Sequence, residues 1–435
     1  MGRVLVARLD SMGEVLLAGP AVRAVANGRI PDGSRPNHVV MLCGRQGEAA
    51  AGLLPGVAEV YSWDSPWIMN PAPKMTGPHA DRLIEYVRNS RITEAVILTS
   101  FHQSPLPLAL LLRLAGVERI TGASTDYAGS LLDVRLKPGE DFPEDQPEAE
   151  RALGIAEAAG FRLPAGDDGK LRVASVPDVH DLVGHGPYVV VHPGAAVPAR
   201  AWPPLHHAAA VELLQGAGHR VVVTGGPNET SLTATVAGPS ALDLGGRTDL
   251  QTMAGVMAGA GAVITGNTGP AHLAAAVGTP VACLFSPVVP AIRWAPYGVP
   301  LELLGDQNAA CRLTRARICP VPGHPCLDSV SPEEVVAAVE RLMGGVSSFS
   351  THVSTRRKAR NRRESCFGMS TVPGRTPSCA DATNTCSLSF PPVGPGALAV
   401  PAGTGPHRCG RWTWRRWTRT PSTPSCCNDR KKLLK

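Results

Sequence analysis

The stretch Ala262-Val-Ile-Thr-Gly-Asn-Thr-Gly-Pro-Ala-His272, continued by Leu273-Ala-Ala-Ala-Val-Gly-Thr-Pro-Val-Ala-Cys-Leu-Phe285, decides the fold. An apolar run ends at Gly266, a polar turn follows, and Pro270 suits the first turn of a small-residue helix that leads to another apolar strand. Free N–H groups and the dipole at such a helix start favour an anion, and ligands of open α/β sheets bind in that crevice. Because Asn-Thr-Gly after a strand is also a common structural connection, the other motifs must decide between the two interpretations.

The rest of residues 1–344 keeps an alternation of apolar strands and helical segments, which indicates parallel sheets covered by helices on both faces. A chain of 435 residues exceeds what one core normally supports. We therefore expect one domain at 1–165 and another at 185–344, joined through the Pro-, Gly- and Asp-rich stretch 163–187. The predicted strands lie at residues 4–9, 38–42, 95–99, 119–121, 188–192, 219–224, 242–244, 262–266 and 281–285, and the predicted helices at 15–26, 80–89, 105–115, 147–159, 205–217, 250–258 and 332–342.

Charge divides the chain further along. Residues 345–435 carry sixteen Lys and Arg against three acidic residues, a net of +13, whereas residues 1–344 carry a net of −7. The tail has six cysteines without a pattern and no hydrophobic period, so we predict that it is disordered. One interpretation is a basic, aromatic arm for anionic membrane lipid or nucleic acid, and the other is a terminus without function, such as an out-of-frame translation.

The start of the chain argues against a secretory signal peptide, because Arg3, Arg8 and Asp10 interrupt its apolar run. No segment has the roughly 18 apolar residues of a transmembrane helix. We therefore expect a cytoplasmic protein without a disulfide framework. Cys311, Cys319, His324 and Cys326 could suggest zinc, but their spacing lacks the close cysteine pairs of structural zinc sites, which favours packed thiols.

Polar residues follow several predicted strands. Glu14 lies in the first turn of a helix that Ser11 can cap, so it is either a helix-start acid or an acid facing the cleft. Arg200 could clamp a diphosphate, and Trp202 is typical of a packing anchor. Glu229 either begins a helix or accepts hydrogen bonds from a ribose. Ser100, Phe101, His102 and Gln103 are further candidates for lining the cleft.

Four motifs in this order resemble glycosyltransferase family 9, the heptosyltransferase-like enzymes. They are Arg3-Val-Leu-Val-Ala-Arg-Leu-Asp-Ser-Met-Gly-Glu-Val-Leu-Leu17, His192-Pro-Gly-Ala with Arg200-Ala-Trp-Pro, Gly225-Gly-Pro-Asn-Glu229, and Gly266-Asn-Thr-Gly-Pro-Ala-His272 with the residues up to Pro280. The resemblance spans about residues 3–343. No Walker A sequence and no Gly-x-Gly-x-x-Gly after a strand is present, which argues against nucleotide hydrolysis and hydride transfer.

The resemblance implies a GT-B architecture, in which two Rossmann-like domains face each other across a cleft. It implies inverting sugar transfer from a nucleoside-diphosphate sugar, with ADP favoured, to a glycan or lipid-linked acceptor, without a cofactor or a metal. Contact of the tail with the inner face of the plasma membrane is a further expectation. A sugar-nucleotide epimerase of the same architecture stays open as an alternative, as does a membrane- or nucleic-acid-binding protein acting through its tail, although the acidic body argues against nucleic acid.

The resemblance also assigns roles to residues. Glu14 stands where the family has an Asp that is taken as the base removing the acceptor hydroxyl proton. Arg200 corresponds to the basic residue near the sugar diphosphate, and Glu229 corresponds to the acid that contacts the ribose. Asn267 replaces an Asp and lacks its charge, which leaves the sugar open. The further residues assigned to substrate binding are Ser11, Gly13, Ala195, Ala196, Thr268, Gly269 and His272.

Overall fold

The computed structural model describes residues 2–29 and 37–344. The predicted tail, residues 345–435, lies outside the described residues. Within the described ranges no helix combines the length and the hydrophobicity needed to cross a bilayer.

The N-terminal half forms a six-stranded, all-parallel sheet in the order β3-β2-β1-β4-β5-β6. This is the strand order of the doubly wound dinucleotide-binding fold. The strands are β1 (Arg3–Arg8), β2 (His38–Cys43), β3 (Val57–Ser62), β4 (Glu94–Ile97), β5 (Arg119–Ala123) and β6 (Val134–Leu136). The helices are α1 (Met12–Leu17), α2 (Gly19–Asn27), α3 (Glu48–Leu53), α4 (Gly77–Asn89), α5 (Leu106–Leu114) and α6 (Glu148–Ala158).

The C-terminal half repeats the same arrangement. Its strands, again all parallel, follow the order β12-β11-β10-β7-β8-β9, which is the first order read from the other edge. They are β7 (Val189–His192), β8 (Val221–Val223), β9 (Leu242–Asp243), β10 (Ala262–Gly266), β11 (Val281–Leu284) and β12 (Leu301–Leu304). The helices are α7 (His180–Val183), α8 (Pro204–Gly216), α9 (Thr230–Ala237), α10 (Leu250–Ala258), α11 (Gly269–Ala276), α12 (Ala291–Trp294), α13 (Pro325–Asp328) and α14 (332–344).

The central strands explain why the two sheets form. β1 and β10 are apolar and almost wholly buried, because helices cover both faces of each sheet. Val6 pairs with Met41 on one side and Val96 on the other, and Ile264 pairs with Val191 and Ala282 in the same way. A single buried cluster also includes side chains of α1 and α11, so the two halves share a core beside the cleft. The predicted GT-B architecture is confirmed.

The first predicted helix, residues 15–26, is wrong as a continuous element. It is broken at Ala18 into α1 and α2, with Pro20 in the first turn of α2. Proline has no N–H for the ladder, and its ring collides with the carbonyl of the residue four positions earlier, so a helix cannot continue through Pro20 without a break. The break keeps α1 short and directs its N-terminus to the cleft.

Three strands, β3, β6 and β12, were not expected from the sequence. Each lies at an edge of its sheet and is only partly buried. An edge strand covered on fewer sides does not need the continuous apolar run that marks β1 or β10, so its sequence signal is weak. The domain boundaries given above remain predictions.

Candidate active site

The candidate site lies where the carboxyl ends of β1 and β10 face each other and the helices α1 and α11 begin. Two glycines allow these helix starts to touch. A Cβ atom built on Gly13 would lie 2.8 Å from Cδ2 of His272, and one built on Gly269 would collide with the side chain of Met12. Residues with side chains at these two positions would push the halves apart.

Two adjoining cavities at this junction are lined by all eleven residues to which the family resemblance assigns roles. The first, of about 150 Å³, is lined among others by Ser11, Gly13, Glu14, Ala196, Arg200, Asn267, Thr268, Gly269 and His272. The second, of about 280 Å³, shares Ser11, Gly13, Ala196, Thr268 and Gly269 and adds Ala195 and Glu229. Residues as far apart in the sequence as Ser11 and His272, 261 positions, therefore line the same space.

Glu14 projects from the first turn of α1 into the first cavity. One carboxylate oxygen pairs with Arg8, and the other accepts a hydrogen bond of 2.7 Å from the indole N–H of Trp294. Arg8 is 2 % exposed and also contacts Asp10 at 2.8 Å and Glu148 at 3.4 Å. Three carboxylates therefore surround one buried guanidinium.

In this cluster the Glu14 carboxyl has a higher pKa than a carboxyl in water, so it takes up a proton at higher pH. Burial raises the pKa of the Glu14 carboxyl to about 7, the nearby charge of Arg8 opposes this rise, and the carboxylates of Asp10 and Glu148 add to it. The guanidinium of Arg8 keeps its proton, because the surrounding carboxylates raise its pKa further above the usual value despite its burial. A carboxyl with a pKa near neutrality, next to a cavity, has the property required of a general base.

Arg200 faces Glu14 from the other half of the molecule. It ends a short 3₁₀ turn, Pro198–Arg200, and its guanidinium donates a long hydrogen bond of 3.5 Å to the carbonyl of Asn267. Burial lowers the pKa of Arg200, the negative charge of Glu14 opposes that effect, and no carboxylate forms an ion pair with Arg200 within residues 2–29 and 37–344. Its Nε atom is buried without a hydrogen-bond partner. An anion in the cavity would satisfy it.

The start of α11 adds neutral donors beside Arg200. Thr268 precedes the helix, and its buried hydroxyl has no partner. The N–H of Thr268 donates to Gly266 and that of Ala271 donates to Thr268, so among the nitrogens of residues 268–271 the N–H of Gly269 remains for a ligand, since Pro270 has none. Of the free N–H groups expected at this helix start, that of Gly269 is therefore the one open to a ligand among residues 268–271.

Asn267 and His272 line the same cavity in different ways. The side-chain amide of Asn267 donates to the carbonyl of Ser286 at 3.3 Å and accepts from its N–H at 3.4 Å, so it fixes the loop after β11. Burial, followed by the charge of Arg200, lowers the pKa of His272 to about 4. His272 is therefore neutral at physiological pH, and its buried Nδ1 has no partner.

The second cavity is built around Glu229. One of its oxygens accepts a hydrogen bond of 2.7 Å from the N–H of Gly226, as expected for an acid at a helix start. The carboxylate also lies directly over Gly194, where any Cβ would collide with it, and it remains part of the cavity lining. His192 lies beside it, bonds Thr224 at 3.1 Å, and is neutral because burial lowers its pKa to about 4.

The loop after β4 also reaches the cleft. Ser100 and His102 line another cavity, of about 390 Å³, that opens from Glu14 toward the N-terminal half. It is called the fourth cavity, because a third one is described further below. Burial, with Arg315 nearby, lowers the pKa of His102 to about 4. Gln103 holds Asp10 by a hydrogen bond. Each of these side chains therefore lies at or next to the site.

Arg8, Trp294 and Arg315 were missed as site residues. Arg8 did carry a signal, since a charged residue at the end of an otherwise apolar central strand needs a buried partner. Trp294 carries none, because its contact with Glu14 joins residues 280 positions apart. Arg315 lines the first cavity from an irregular segment that has no recognisable motif.

Two other sequence interpretations concern packing. Trp202 is 2 % exposed and donates to the carbonyl of Val330 at 3.2 Å, which confirms it as a packing anchor. Cys311 and Cys326 are buried as free thiols, and the ring of His324 approaches the carbonyl of Ala199 at 3.2 Å.

The sequence of this chain is similar to those of known glycosyltransferases. The family model described as glycosyltransferase family 9 (heptosyltransferase) matches residues 102–323, just over half of the chain. The chain belongs to glycosyltransferase family 9. It is 28% identical over 177 residues to lipooligosaccharide heptosyltransferase 2 of Haemophilus influenzae, a match that covers 37% of this chain and 49% of that protein. The chain thus spans about half the length of that curated relative.

Solved structures show the same fold over most of the family 9 chain. A glycosyl transferase family 9 protein from Veillonella parvula superposes with a TM-score of 0.62 at 16% identity, covering 79% of this chain and 97% of that one. The ADP-heptose lps heptosyltransferase II of Escherichia coli superposes with a TM-score of 0.59 at 19% identity, covering 80% of this chain and all of that one, 100%. At these identities the similarity establishes the architecture.

Proposed function

We propose that this protein is an inverting glycosyltransferase that moves a heptose-like sugar from an ADP-activated donor to a hydroxyl of a cell-envelope glycan. One observation carries the proposal. A carboxylate with a raised pKa, Glu14, and a cation without an ion-pair partner in the described residues, Arg200, line the same cavity from opposite halves of the molecule. Displacement at an anomeric carbon needs a base on one side and a stabilised leaving diphosphate on the other.

In this mechanism Glu14 accepts the proton of the acceptor hydroxyl as its oxygen forms a bond to the anomeric carbon. The bond from that carbon to the diphosphate breaks on the opposite face, so the configuration inverts. Arg200, the N–H of Gly269 and the hydroxyl of Thr268 stabilise the negative charge that develops on the leaving diphosphate. These donors supply stabilisation that a metal provides in other transferases, which is why we propose metal-independent transfer.

The nucleoside would occupy the second cavity. There the free carboxylate oxygen of Glu229 can accept hydrogen bonds from ribose hydroxyls, and the missing side chain of Gly194 leaves room for that carboxylate. ADP is proposed as the nucleotide because the E. coli structure named above is that of an ADP-heptose enzyme.

The acceptor sugar would occupy the fourth cavity, which adjoins Glu14. Gln46, Asn70 and Ser100 line it and can bond sugar hydroxyls. We further propose that the acceptor-binding unit is residues 1–165 and the donor-binding unit is residues 185–344. Reaction with a nucleotide sugar and a glycan precursor fits a protein that acts in the cytoplasm, at the inner face of the membrane.

The test uses the full chain with ADP-heptose and a core oligosaccharide that lacks its heptose. We expect the acceptor mass to rise by one heptose, with inversion at the anomeric carbon shown by NMR. Differential scanning fluorimetry should show stabilisation by ADP over UDP, GDP and CDP. A change of the nucleotide sugar without acceptor would instead establish the epimerase, and no stabilisation by any nucleotide would refute the donor site.

A further inference from the structure

A third cavity, of about 460 Å³, opens beside the first cavity, which contains Glu14 and is called the reactive cavity below. The third cavity has no role in the steps above. Its apolar lining comes from Phe101, Val289, Pro290, Ile292, Trp294 and Leu313. Small-molecule sites commonly have this size and combine an apolar lining with a few fixed polar groups. The chemistry of the cavity is therefore that of a binding site, and its charged residues indicate the ligand.

The charged residues of the lining leave an excess of positive charge. Asp145 is paired with Arg293 at 3.5 Å, and Arg293 also pairs with Glu144 at 3.1 Å and lies over the ring of Phe101 at 4.2 Å. Arg312 and Arg315 have no ion-pair partner within the described part of the chain. Two guanidinium groups beside an apolar wall favour a phosphate or a carboxylate attached to an apolar group.

The wall that carries these arginines is held in an unusual backbone conformation. Leu313 and Arg315 have φ angles of 63° and 56°, in the left-handed region that side chains rarely adopt. Their N–H groups bond the carbonyls of Pro287 and Val288, both at 2.9 Å. Such conformations persist where the surroundings hold them, and they concentrate at ligand sites. Leu313 on this wall, 52% exposed, and Ile292 on α12, 54% exposed, present apolar surface beside the guanidinium groups.

The third cavity adjoins the reactive one. Val289, Trp294 and Arg315 line both, and Trp294 donates to Glu14. We propose that the third cavity binds the non-reacting part of the acceptor, an alkyl or aryl group next to a phosphate or carboxylate, with Arg312 and Arg315 holding the anion. This rests on the proposed transferase function, and it makes the acceptor an anionic amphiphile that reaches beyond residues 1–165, because Arg312 and Leu313 lie in the C-terminal half.

The test is isothermal titration calorimetry of the full chain with hexyl phosphate, phenyl phosphate, inorganic phosphate and hexyl glucoside. We expect both organic phosphates to bind at least tenfold more tightly than inorganic phosphate or the neutral glucoside, and their ratio distinguishes an alkyl from an aryl ligand. Arg312→Ala and Leu313→Ser should each weaken this binding at least tenfold. Arg91→Ala and Leu205→Ser are the matched controls, since Arg91 is exposed with a left-handed φ of 52°, Leu205 is 74% exposed, and neither lines the cavity.

The same variants separate this proposal from the proposed function. Arg312→Ala and Leu313→Ser should retain the ADP affinity of the unmodified chain, because neither residue lines the first two cavities. Organic phosphate binding that survives both substitutions, or equal affinity for hexyl glucoside, would overturn the subsite even if sugar transfer is observed. Organic phosphate binding that is lost in both variants, in a chain that shows no transfer, would keep the anion site and refute the transferase.

Discussion

In the described part of the chain, the charged side chains are paired with one another on the N-terminal side of the cleft, and two arginines are unpaired on the C-terminal side. On the N-terminal side, Arg8 is buried and surrounded by three carboxylates, so every charge there already has a partner. On the C-terminal side, Arg200 and Arg315 line the reactive cavity without an ion-pair partner in the described residues. Charges that are fixed by contacts with one another suit a base that must be placed before the substrate arrives. Unpaired cations suit a surface that an anionic substrate completes.

Replacement of Glu14, the proposed base on the N-terminal side, should have the largest effect on activity. Glu14→Gln keeps the size of the side chain and removes its ability to accept a proton, so we expect kcat to fall roughly 10³-fold, within the range of general-base catalysis. Glu14→Asp should retain part of the activity, because the carboxylate remains but reaches less far. Steady-state transfer rates measure both variants, and ADP titration should show unchanged donor affinity. Near-normal turnover by Glu14→Gln would place the base elsewhere.

Removal of the buried cation tests whether the carboxylates depend on it. Arg8→Met removes the guanidinium that Glu14, Asp10 and Glu148 share, and breaking a buried ion pair on one side costs about 3–5 kcal/mol of unfolding free energy. Urea denaturation measures the loss.

Arg3 on the same strand is the matched control for Arg8. It pairs with Glu59 at 2.6 Å, but the two side chains are 32% and 37% exposed. Arg3→Met should therefore cost about 0–1 kcal/mol, as surface pairs do. Equal losses in the two variants would mean that the buried cluster has no special electrostatic role.

Substitution of Arg200 on the C-terminal side, which is unpaired within the described residues, should have the opposite effect, a loss of ADP binding with little loss of stability. Arg200→Ala should weaken ADP binding by about 1.5–3 kcal/mol, roughly 10- to 150-fold, as expected for a charged hydrogen bond to a phosphate. Its unfolding free energy should change little, because no ion pair is broken. Calorimetric ADP titration and urea denaturation measure the two quantities, and Arg247→Ala, an exposed arginine outside both donor cavities, is the control. A large stability loss with intact ADP binding would make Arg200 structural.

The same contrast explains what the sequence could predict. The central strands and the residues just after them were recognisable, because burial on both faces demands long apolar runs and the site follows directly from their ends. The eleven selected residues therefore meet at the cleft. The three missed strands lie at sheet edges, where partial burial weakens the pattern.

The contacts that tune the site were not predictable in the same way. The bond from Trp294 to Glu14 links the two halves of the molecule, and no local pattern marks either partner for the other. Asn267 was assigned to substrate binding, yet its amide is engaged with the backbone of Ser286 in the structure. Both pairings depend on tertiary packing, between the halves for Trp294 and between two neighbouring loops for Asn267.

Trp294→Phe is the mildest of these changes. It removes the hydrogen bond from Trp294 to Glu14, which joins the two halves. The indole N–H stabilises the charged form of Glu14 and so lowers its pKa, whereas burial raises the pKa of Glu14 to about 7 overall. Removal of the N–H should therefore raise the pKa further. Since the base is active when deprotonated, the rise in kcat with pH should move to higher pH, with a several-fold loss at pH 6.5 and little loss at pH 9.

A merely structural role for Trp294 predicts a different result. Loss of packing alone would lower kcat by the same factor at every pH, because it leaves the protonation of Glu14 unchanged. Trp202→Phe is the matched control, since Trp202 also donates its indole N–H to an oxygen, the carbonyl of Val330, but lies outside the four cavities of the cleft. Its pH profile should keep the midpoint of the unmodified chain. A shift confined to Trp294→Phe would show that the C-terminal half, which binds the donor in this mechanism, also sets the proton affinity of the base in the N-terminal half.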